Sequence, residues 1–131
     1  TVLYTANPRD NALFATLAGA FSRSGVAGLV QWGPPWWFND HERGIRRQLQ
    51  VLSEVGQLAG FVGMLTDSRS VLSMARHELF RRILCDLIGR EADEGRIPAD
   101  LQWLGGTVSD VCAGNTARFF GMPAPRVAPW E

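Results

Sequence analysis

The sequence has few cysteines, no excess charge of either sign and no long apolar run. It contains two cysteines, Cys85 and Cys112, and both fall inside helical patterns far apart in the chain. Small secreted domains held together by disulfides use many more cysteines than this. We therefore expect two free thiols in a protein of the reducing cytoplasm.

The charge balance excludes some classes of partner. Thirteen basic and thirteen acidic residues give a formal net charge of +0. Such a chain creates no long-range field that would attract nucleic acid or an acidic membrane surface. No apolar stretch reaches the roughly 20 residues that cross a bilayer, and the first residues do not resemble a signal peptide. We expect neither a nucleic-acid nor a membrane partner.

What the sequence does contain is an alternation of strand and helix patterns. Its length of 131 residues and its hydrophobic fraction of 46% suit one folded domain. Apolar and β-branched runs predict strands at 1–6, 29–32 and 60–66. Helical spacing predicts helices at 12–22, after Asp40, at 71–90 and at 101–119.

This order predicts an α/β fold with parallel strands joined by helical crossovers. Three parallel strands leave both sheet edges open, so we expect part of a larger architecture. The predicted buried helix faces are Leu13, Leu17 and Phe21; Ile45, Leu49, Leu52 and Val55; and Leu72, Phe80, Ile83, Leu84 and Leu87. Asn39 or Asp40 is the predicted N-cap of the second helix.

The most informative segment is 61–70, where an apolar run ends at Asp67 and Arg69 follows two positions later. In barrel enzymes, residues at the carboxyl ends of strands carry the chemistry, because the strands hold them rigidly at the mouth of the site. An acid and a guanidinium there predict a site for a metal, a proton or an anion. The alternative is that Asp67 simply caps the helix that follows.

Several motifs in order resemble the uronate isomerases (glucuronate isomerases) of the amidohydrolase superfamily of metal-dependent (β/α)₈ barrels. They are Asn7-Pro8-Arg9-Asp10-Asn11, Trp36-Trp37-Phe38-Asn39-Asp40, the segment 61–70, Arg76-His77-Glu78 with Phe80-Arg81-Arg82, and Asn115 with Ala117-Arg118-Phe119-Phe120. The resemblance covers residues 1–121. It leaves a proline-rich tail, 122–131, which we expect to be poorly ordered.

The resemblance implies a partial TIM barrel, with the predicted strands as its sixth, seventh and eighth and a C-terminal helix packed outside. A complete barrel takes about 250 residues, and the superfamily's His-x-His metal pair is absent from this sequence. We therefore expect a C-terminal fragment that is inactive alone. Its expected partners are a uronate sugar and the N-terminal portion of the barrel, and assembly with further copies of the chain is left open.

Enzymes of this family interconvert D-glucuronate and D-fructuronate, or D-galacturonate and D-tagaturonate, by moving a proton between C2 and C1. Asp67 matches the acid at the end of the eighth strand, which implies a ligand to a divalent metal, expected to be zinc, and a proton shuttle. Arg69 is expected to bind the substrate carboxylate or the enediolate, because its planar fork of donors suits both.

The resemblance implies that Trp36 or Trp37 lines the sugar pocket, where an indole ring packs against C–H groups and its N–H donates to a hydroxyl. Both rings packing the loop against the barrel is the alternative. Arg9 would also face the barrel mouth and is expected to meet the anionic substrate, unless it pairs locally with Asp10.

Other motif residues have structural interpretations. We expect Arg76, His77 and Glu78 to form a network between helix and barrel, and Asn115 and Arg118 to fasten the terminal helix.

Two further hypotheses for function remain. The chain is either an independent, non-catalytic α/β module for binding or assembly, or part of a metal-dependent hydrolase of the same superfamily. The Trp36-Trp37-Phe38 motif favours the isomerases over the hydrolases. Analysis of products would separate a keto sugar acid from a cleaved bond.

Overall fold

The computed structural model describes residues 1–21, 23, 25–26 and 28–123. The fold is mostly helical and contains a small parallel sheet. The strands are β1 (Val2–Leu3) and β2 (Gln31–Trp32). The helices are α1 (Asn11–Ala20), α2 (Glu42–Val55), α3 (Ala75–Asp93), α4 (Leu101–Ser109) and α5 (Asn115–Phe120). The predicted tail from residue 124 onward lies outside the described residues.

The first two predicted strands pair in parallel, as expected, although both are shorter than predicted. Val2 lies opposite Gln31 and Leu3 opposite Trp32, with α1 in the connection between the strands. Val2 and Trp32 are of the β-branched and aromatic types that favour extended backbone. This strand–helix–strand unit confirms the α/β order of the first third of the chain.

The predicted third strand is wrong as a strand, because residues 61–69 pair with no neighbouring strand. Side chains of the last helix take the backbone carbonyls instead. The Asn115 amide donates to the carbonyls of Ala59 and Phe61 at 2.8 and 2.9 Å. The Thr116 hydroxyl donates to the Val62 carbonyl at 2.6 Å. The start of the segment, residues 61–63, is thus buried like a strand, but side chains satisfy its backbone.

The predicted terminal helix is confirmed, with one irregularity. A π-helical turn, Asp110–Gly114, joins α4 and α5, and such turns are frequent at functional sites. At this turn the helix backbone comes very close to Gly63, which has φ 79°. A Cβ at Gly63 would collide with the Val111 carbonyl oxygen. Only glycine allows this approach between the helix and the 61–69 segment.

The core lies between α2, α3, the terminal helix and the 61–69 segment, and it contains most of the predicted stripes. Its buried members include Ile45, Leu49, Leu52, Phe61, Phe80, Ile83, Leu84 and Val111. The prediction is wrong for Val55 and Leu72, which are 52% and 87% exposed. Val55 is the last residue of α2, and Leu72 lies in a 3₁₀ turn before α3, so neither side chain continues its helical stripe.

The predicted buried face of α1 is also wrong. Leu13, Leu17 and Phe21 are 64%, 39% and 55% exposed, whereas Asn11 and Ala15 are buried. The spacing correctly identifies a helix with an apolar face. Among the described residues, however, nothing covers that face, and the opposite side of the helix packs on the sheet.

The N-cap of α2 is His41 rather than Asn39 or Asp40. Its Nδ1 accepts a hydrogen bond from the Gly44 N–H at 3.3 Å. The Asn39 side chain is buried and accepts from the Asn11 amide at 3.3 Å instead. Asn39 therefore connects α1 to the loop after β2 through this hydrogen bond and does not cap α2.

Two expectations from composition can be compared with the structure. Cys85 is exposed, Cys112 is partly buried, and both thiols are free, as predicted. Burial raises the pKa of the Cys112 thiol. In the part of the chain that the structure describes, no helix is both long and apolar enough to cross a lipid bilayer.

Candidate functional site

The candidate site surrounds Asp67, which follows the buried part of the 61–69 segment. The Trp36 indole Nε1–H donates to Asp67 Oδ2 at 3.0 Å, although the two residues are 31 positions apart. Trp36 belongs to the loop after β2, and Asp67 follows the next extended segment. The structure thus brings these two predicted residues into contact at one end of the extended segments.

Two residues at this site have a strained backbone. Asp67 has φ 45° and Trp37 has φ 50°, and they are the only non-glycine residues with positive φ in the described ranges. Such conformations cost of the order of 1–3 kcal/mol and cluster at functional sites. The Asp67 carboxylate accepts a hydrogen bond from Trp36, and Ser70 occupies the cap position of the next helical turn. The alternative that Asp67 caps the following helix is therefore wrong.

An aromatic wall stands beside Asp67. Tyr4 and Trp36 pack edge to face with ring centroids 5.7 Å apart, and Trp36 and Trp37 do the same at 5.7 Å. Trp37 is 64% exposed, so its ring does not pack the loop against the core. Both indoles line a cavity of about 260 Å³ together with Asp40 and Asp67.

Tyr4 is a site residue that the sequence analysis missed. It lines an adjoining cavity of about 270 Å³ with Trp36, Leu65 and Asp67. Burial raises the pKa of the Tyr4 phenol, and the negative charge of Asp67 raises it further. In the structure Tyr4 directly follows β1 and so lies at the carboxyl end of a strand, whereas the predicted strand, 1–6, has Tyr4 in its interior.

Arg69 lies on the other side of Asp67. With Asp67 and His77 it lines a cavity of about 500 Å³, and its side chain is exposed. Within the described residues no carboxylate pairs with Arg69. Most arginines of α2 and α3, in contrast, form ion pairs with carboxylates. His77, which was expected to be structural, shares this cavity.

Arg76 connects the two loops that carry the site. Its guanidinium forms an ion pair with Asp40, at the end of the tryptophan loop, and donates to the Thr66 carbonyl at 2.6 Å. The predicted structural network is therefore confirmed for Arg76. It is wrong for Glu78, which pairs along α3 with Arg81 and Arg82. Hydrogen bonds from these two arginines lower the pKa of Glu78.

Comparison with known proteins agrees with the motifs. The family model described as glucuronate isomerase matches residues 1–120. The chain belongs to the glucuronate isomerase family. The family resemblance drawn from the motifs is thereby confirmed.

Individual relatives support this membership. The chain is 57% identical over 120 residues to the uronate isomerase of Vibrio vulnificus, covering 92% of this chain and 26% of the relative. It is 54% identical over 123 residues to the uronate isomerase of Photorhabdus laumondii, covering 94% of this chain and 26% of that relative. The crystal structure of glucuronate isomerase from Caulobacter crescentus matches with a TM-score of 0.78 and 26% identity, over 92% of this chain and 24% of that one. The chain thus spans about a quarter of the length of these family members.

Within this family member, Arg9 is the predicted site residue that the structure does not bring to Asp67. It lies in a 3₁₀ turn, Pro8–Asp10, where its backbone N–H bonds the Asn7 side chain at 3.1 Å. The Arg9 side chain is exposed, and it is absent from the linings of the cavities at Asp67. In the described ranges it forms no ion pair with Asp10. Its role with the substrate stays a prediction.

The residues present do not make a metal site by themselves. The described part of the chain contains no group of three His, Cys, Asp or Glu side chains that could hold an ion. Catalytic zinc takes about three protein ligands. Asp67 can supply one, and its Oδ2 already accepts from Trp36.

Proposed function

We propose that this chain supplies the Asp67 side of the active site of a cytoplasmic uronate isomerase. The reactions would be the interconversions of D-glucuronate with D-fructuronate and of D-galacturonate with D-tagaturonate. The observation that carries the proposal is the contact between Trp36 and a strained Asp67. It joins two of the family's motifs in a chain that the family model matches over residues 1–120.

The proposed architecture is the last part of a TIM barrel. In it β1, β2 and the 61–69 segment take the places of the sixth, seventh and eighth strands, and the terminal helix packs outside. The parallel pairing of β1 with β2 and the placement of Asp67 near the carboxyl end of the third segment support this. The remaining strands would come from sequence outside this chain, so we propose that the chain alone is inactive.

In the proposed reaction the C2–H bond breaks, a C1–H bond forms, and the proton on O2 moves to O1. Asp67 would take the proton from C2 and return it to C1. The hydrogen bond from Trp36 holds Oδ2 in place, which leaves Oδ1 to face the substrate. A carboxylate held this way is positioned for proton transfer.

Other side chains would bind the sugar acid. Arg69, which has no carboxylate partner among the described residues, would bind the substrate carboxylate through its fork of N–H donors. The exposed Trp37 ring would pack against the C–H face of the sugar. Arg9 would add positive charge at the rim. Positively charged arginines and an aromatic wall around Asp67 would suit the binding of a small sugar acid.

We also propose that Asp67 contributes one ligand to a divalent metal, zinc being the expected ion. The other ligands must then lie outside this chain, because the described residues provide no complete set. The metal would polarise oxygen atoms of the substrate.

A chimera tests the proposal. Residues 1–120 of this chain replace the matching part of the Vibrio vulnificus enzyme, to which they are 57% identical, and NMR identifies the product formed from D-glucuronate. We expect the keto sugar acid. A folded chimera that leaves D-glucuronate unchanged would contradict the proposal and favour a non-catalytic module, and a cleaved bond would favour the hydrolase.

A further inference from the structure

Another cavity lies at the end of the fold opposite Asp67. Its volume is about 570 Å³, within the range of small-molecule sites, roughly 300–1,000 Å³. Gly28, which precedes β2, and Gly60, which precedes the 61–69 segment, both line it, whereas Asp67 lies near the carboxyl end of that segment. We call this cavity the amino-end groove. Residues of α2, α3 and the terminal helix form its walls.

The amino-end groove contains a buried carboxylate with an incomplete set of partners. Glu91 is 7% exposed. Both of its carboxylate oxygens face one hydroxyl, that of Ser53, at 2.7 and 2.9 Å. A carboxylate offers about four acceptor positions, and one hydroxyl has a single proton to donate. Among the described residues no cation pairs with Glu91.

The one arginine of the groove is not available to Glu91. Arg118 is paired with Asp110 at 2.9 Å and donates to the Asn115 side chain at 2.6 Å. Burying a carboxylate is costly unless a cation or several donors compensate it. A cation that enters the groove would compensate the Glu91 carboxylate.

The rest of the groove indicates what that molecule looks like. Ile88, Ile97 and Leu104 give it an apolar lining beside Glu91. Trp103 adds an indole that is 51% exposed, and indole rings attract cations as well as apolar chains. A buried negative charge at the end of an apolar and aromatic groove is complementary to a short aliphatic chain that ends in an ammonium group.

We propose that the amino-end groove binds a small molecule with an alkylammonium group. The ammonium pairs with the Glu91 carboxylate, and the aliphatic chain packs against Leu104 and Trp103. The site is separate from Asp67 and does not depend on the isomerase function. The volume of the groove, which is within the range of small-molecule sites, and its single buried charge favour a free amine over a lysine side chain of a polypeptide.

Ligand-observed NMR on the chimera that carries residues 1–120 of this chain tests this with n-butylammonium and n-butanol, which share a carbon chain and differ in charge. We expect the ammonium to bind at least tenfold more tightly than the alcohol. Glu91→Gln keeps the size of the side chain and should remove that preference. Glu54→Gln, which removes an exposed charge on α2, is the matched control and should bind as the unchanged chimera does.

Two further measurements make the test decisive. Trp103→Ala, at a half-exposed position where folding should survive, is expected to weaken binding several-fold while keeping the preference for charge. Equal binding of butylammonium and butanol, or unchanged binding in Glu91→Gln, would overturn the proposal. Tighter binding of Nα-acetyl-lysine amide than of butylammonium would assign the groove to a polypeptide partner and would overturn it as well.

Discussion

At the scale of single residues, Asp67 combines a left-handed backbone with a carboxylate held by an indole N–H. Asparagine and aspartate tolerate this backbone conformation better than most residues. An Asp67→Asn change therefore keeps the shape and the backbone and removes only the charge. This makes Asp67 unusually suitable for separating a chemical role from a structural one.

The Trp36 hydrogen bond gives the first residue-scale prediction. Trp36→Phe keeps an aromatic ring beside Tyr4 and removes the donor to Asp67. Hydrogen bonds to charged groups contribute about 1.5–3 kcal/mol, so kcat of the chimera should fall about tenfold to a hundredfold. Trp37→Phe is the control, because it also replaces an indole by a phenyl ring but leaves the hydrogen bond from Trp36 to Asp67 in place. It should lower kcat less than Trp36→Phe does. Similar losses of kcat in both variants would contradict the assigned role of Trp36.

Tyr4 gives a prediction about pH. Its pKa is raised in the folded state by burial and by Asp67, so folding favours the protonated phenol. This contribution to stability is present below the ordinary pKa near 10 and is lost as the pH rises through the raised value. The melting temperature of the unchanged chain should fall more steeply above pH 10 than that of Tyr4→Phe. Parallel curves from pH 9 to 11.5 would refute this.

At the scale of elements, the site depends on connections between loops that are distant in sequence. Arg76, at the start of α3, holds both Asp40 and the Thr66 carbonyl. The Asn115 and Thr116 side chains hold the 59–62 backbone from the other side. The position of Asp67 is therefore set by α3 and the terminal helix as much as by its own segment.

Arg76→Ala tests this connection. It leaves the Asp40 carboxylate and the Thr66 carbonyl without their donor, so the free energy of unfolding in urea should fall by about 1–3 kcal/mol. Activity of the chimera should fall as well, because both loops lose a common anchor. Arg81→Ala on the exposed face of α3, where Arg81 pairs with Glu78, is the matched control. Equal effects of the two changes on stability would contradict the role of Arg76 as an anchor.

The elements also show what the sequence can and cannot predict. Spacing of apolar residues identified the four helical regions, and the motif order placed Trp36 and Asp67 on one rim. The sequence could not show that the 61–69 segment lacks a partner strand. Its backbone is instead bonded by the side chains of Asn115 and Thr116, which lie more than 50 positions away. Spacing likewise cannot show the positive φ of Trp37, since it gives no information on loop backbones.

At the scale of the whole molecule, the described surface exposes many apolar side chains. Val71, Leu72 and Leu101 are at least 85% exposed, and the outer face of α1 adds Leu13 and Leu17. The two-stranded sheet also leaves strand edges without partners among the described residues. These features are what we expect of a surface that the rest of a barrel would cover.

We therefore predict that the isolated chain self-associates. In analytical ultracentrifugation it should sediment as dimers or larger species at micromolar concentration, because apolar helix faces become buried on contact. A Leu13→Glu, Leu17→Glu double variant should shift it toward the monomer. Leu79→Glu, at a position on α3 that is as exposed as Leu17, is the control. A monomeric chain that unfolds cooperatively would favour the independent module.

The central claim is that Asp67 performs the proton transfer at a uronate isomerase site. The most direct measurement is kcat for D-glucuronate in the chimera with and without Asp67→Asn, after circular dichroism has shown that both fold. We predict that kcat falls by at least about a thousandfold, within the range for loss of a general base and its electrostatic effect. An Asp67→Asn chimera with kcat close to that of the unchanged one would contradict the account.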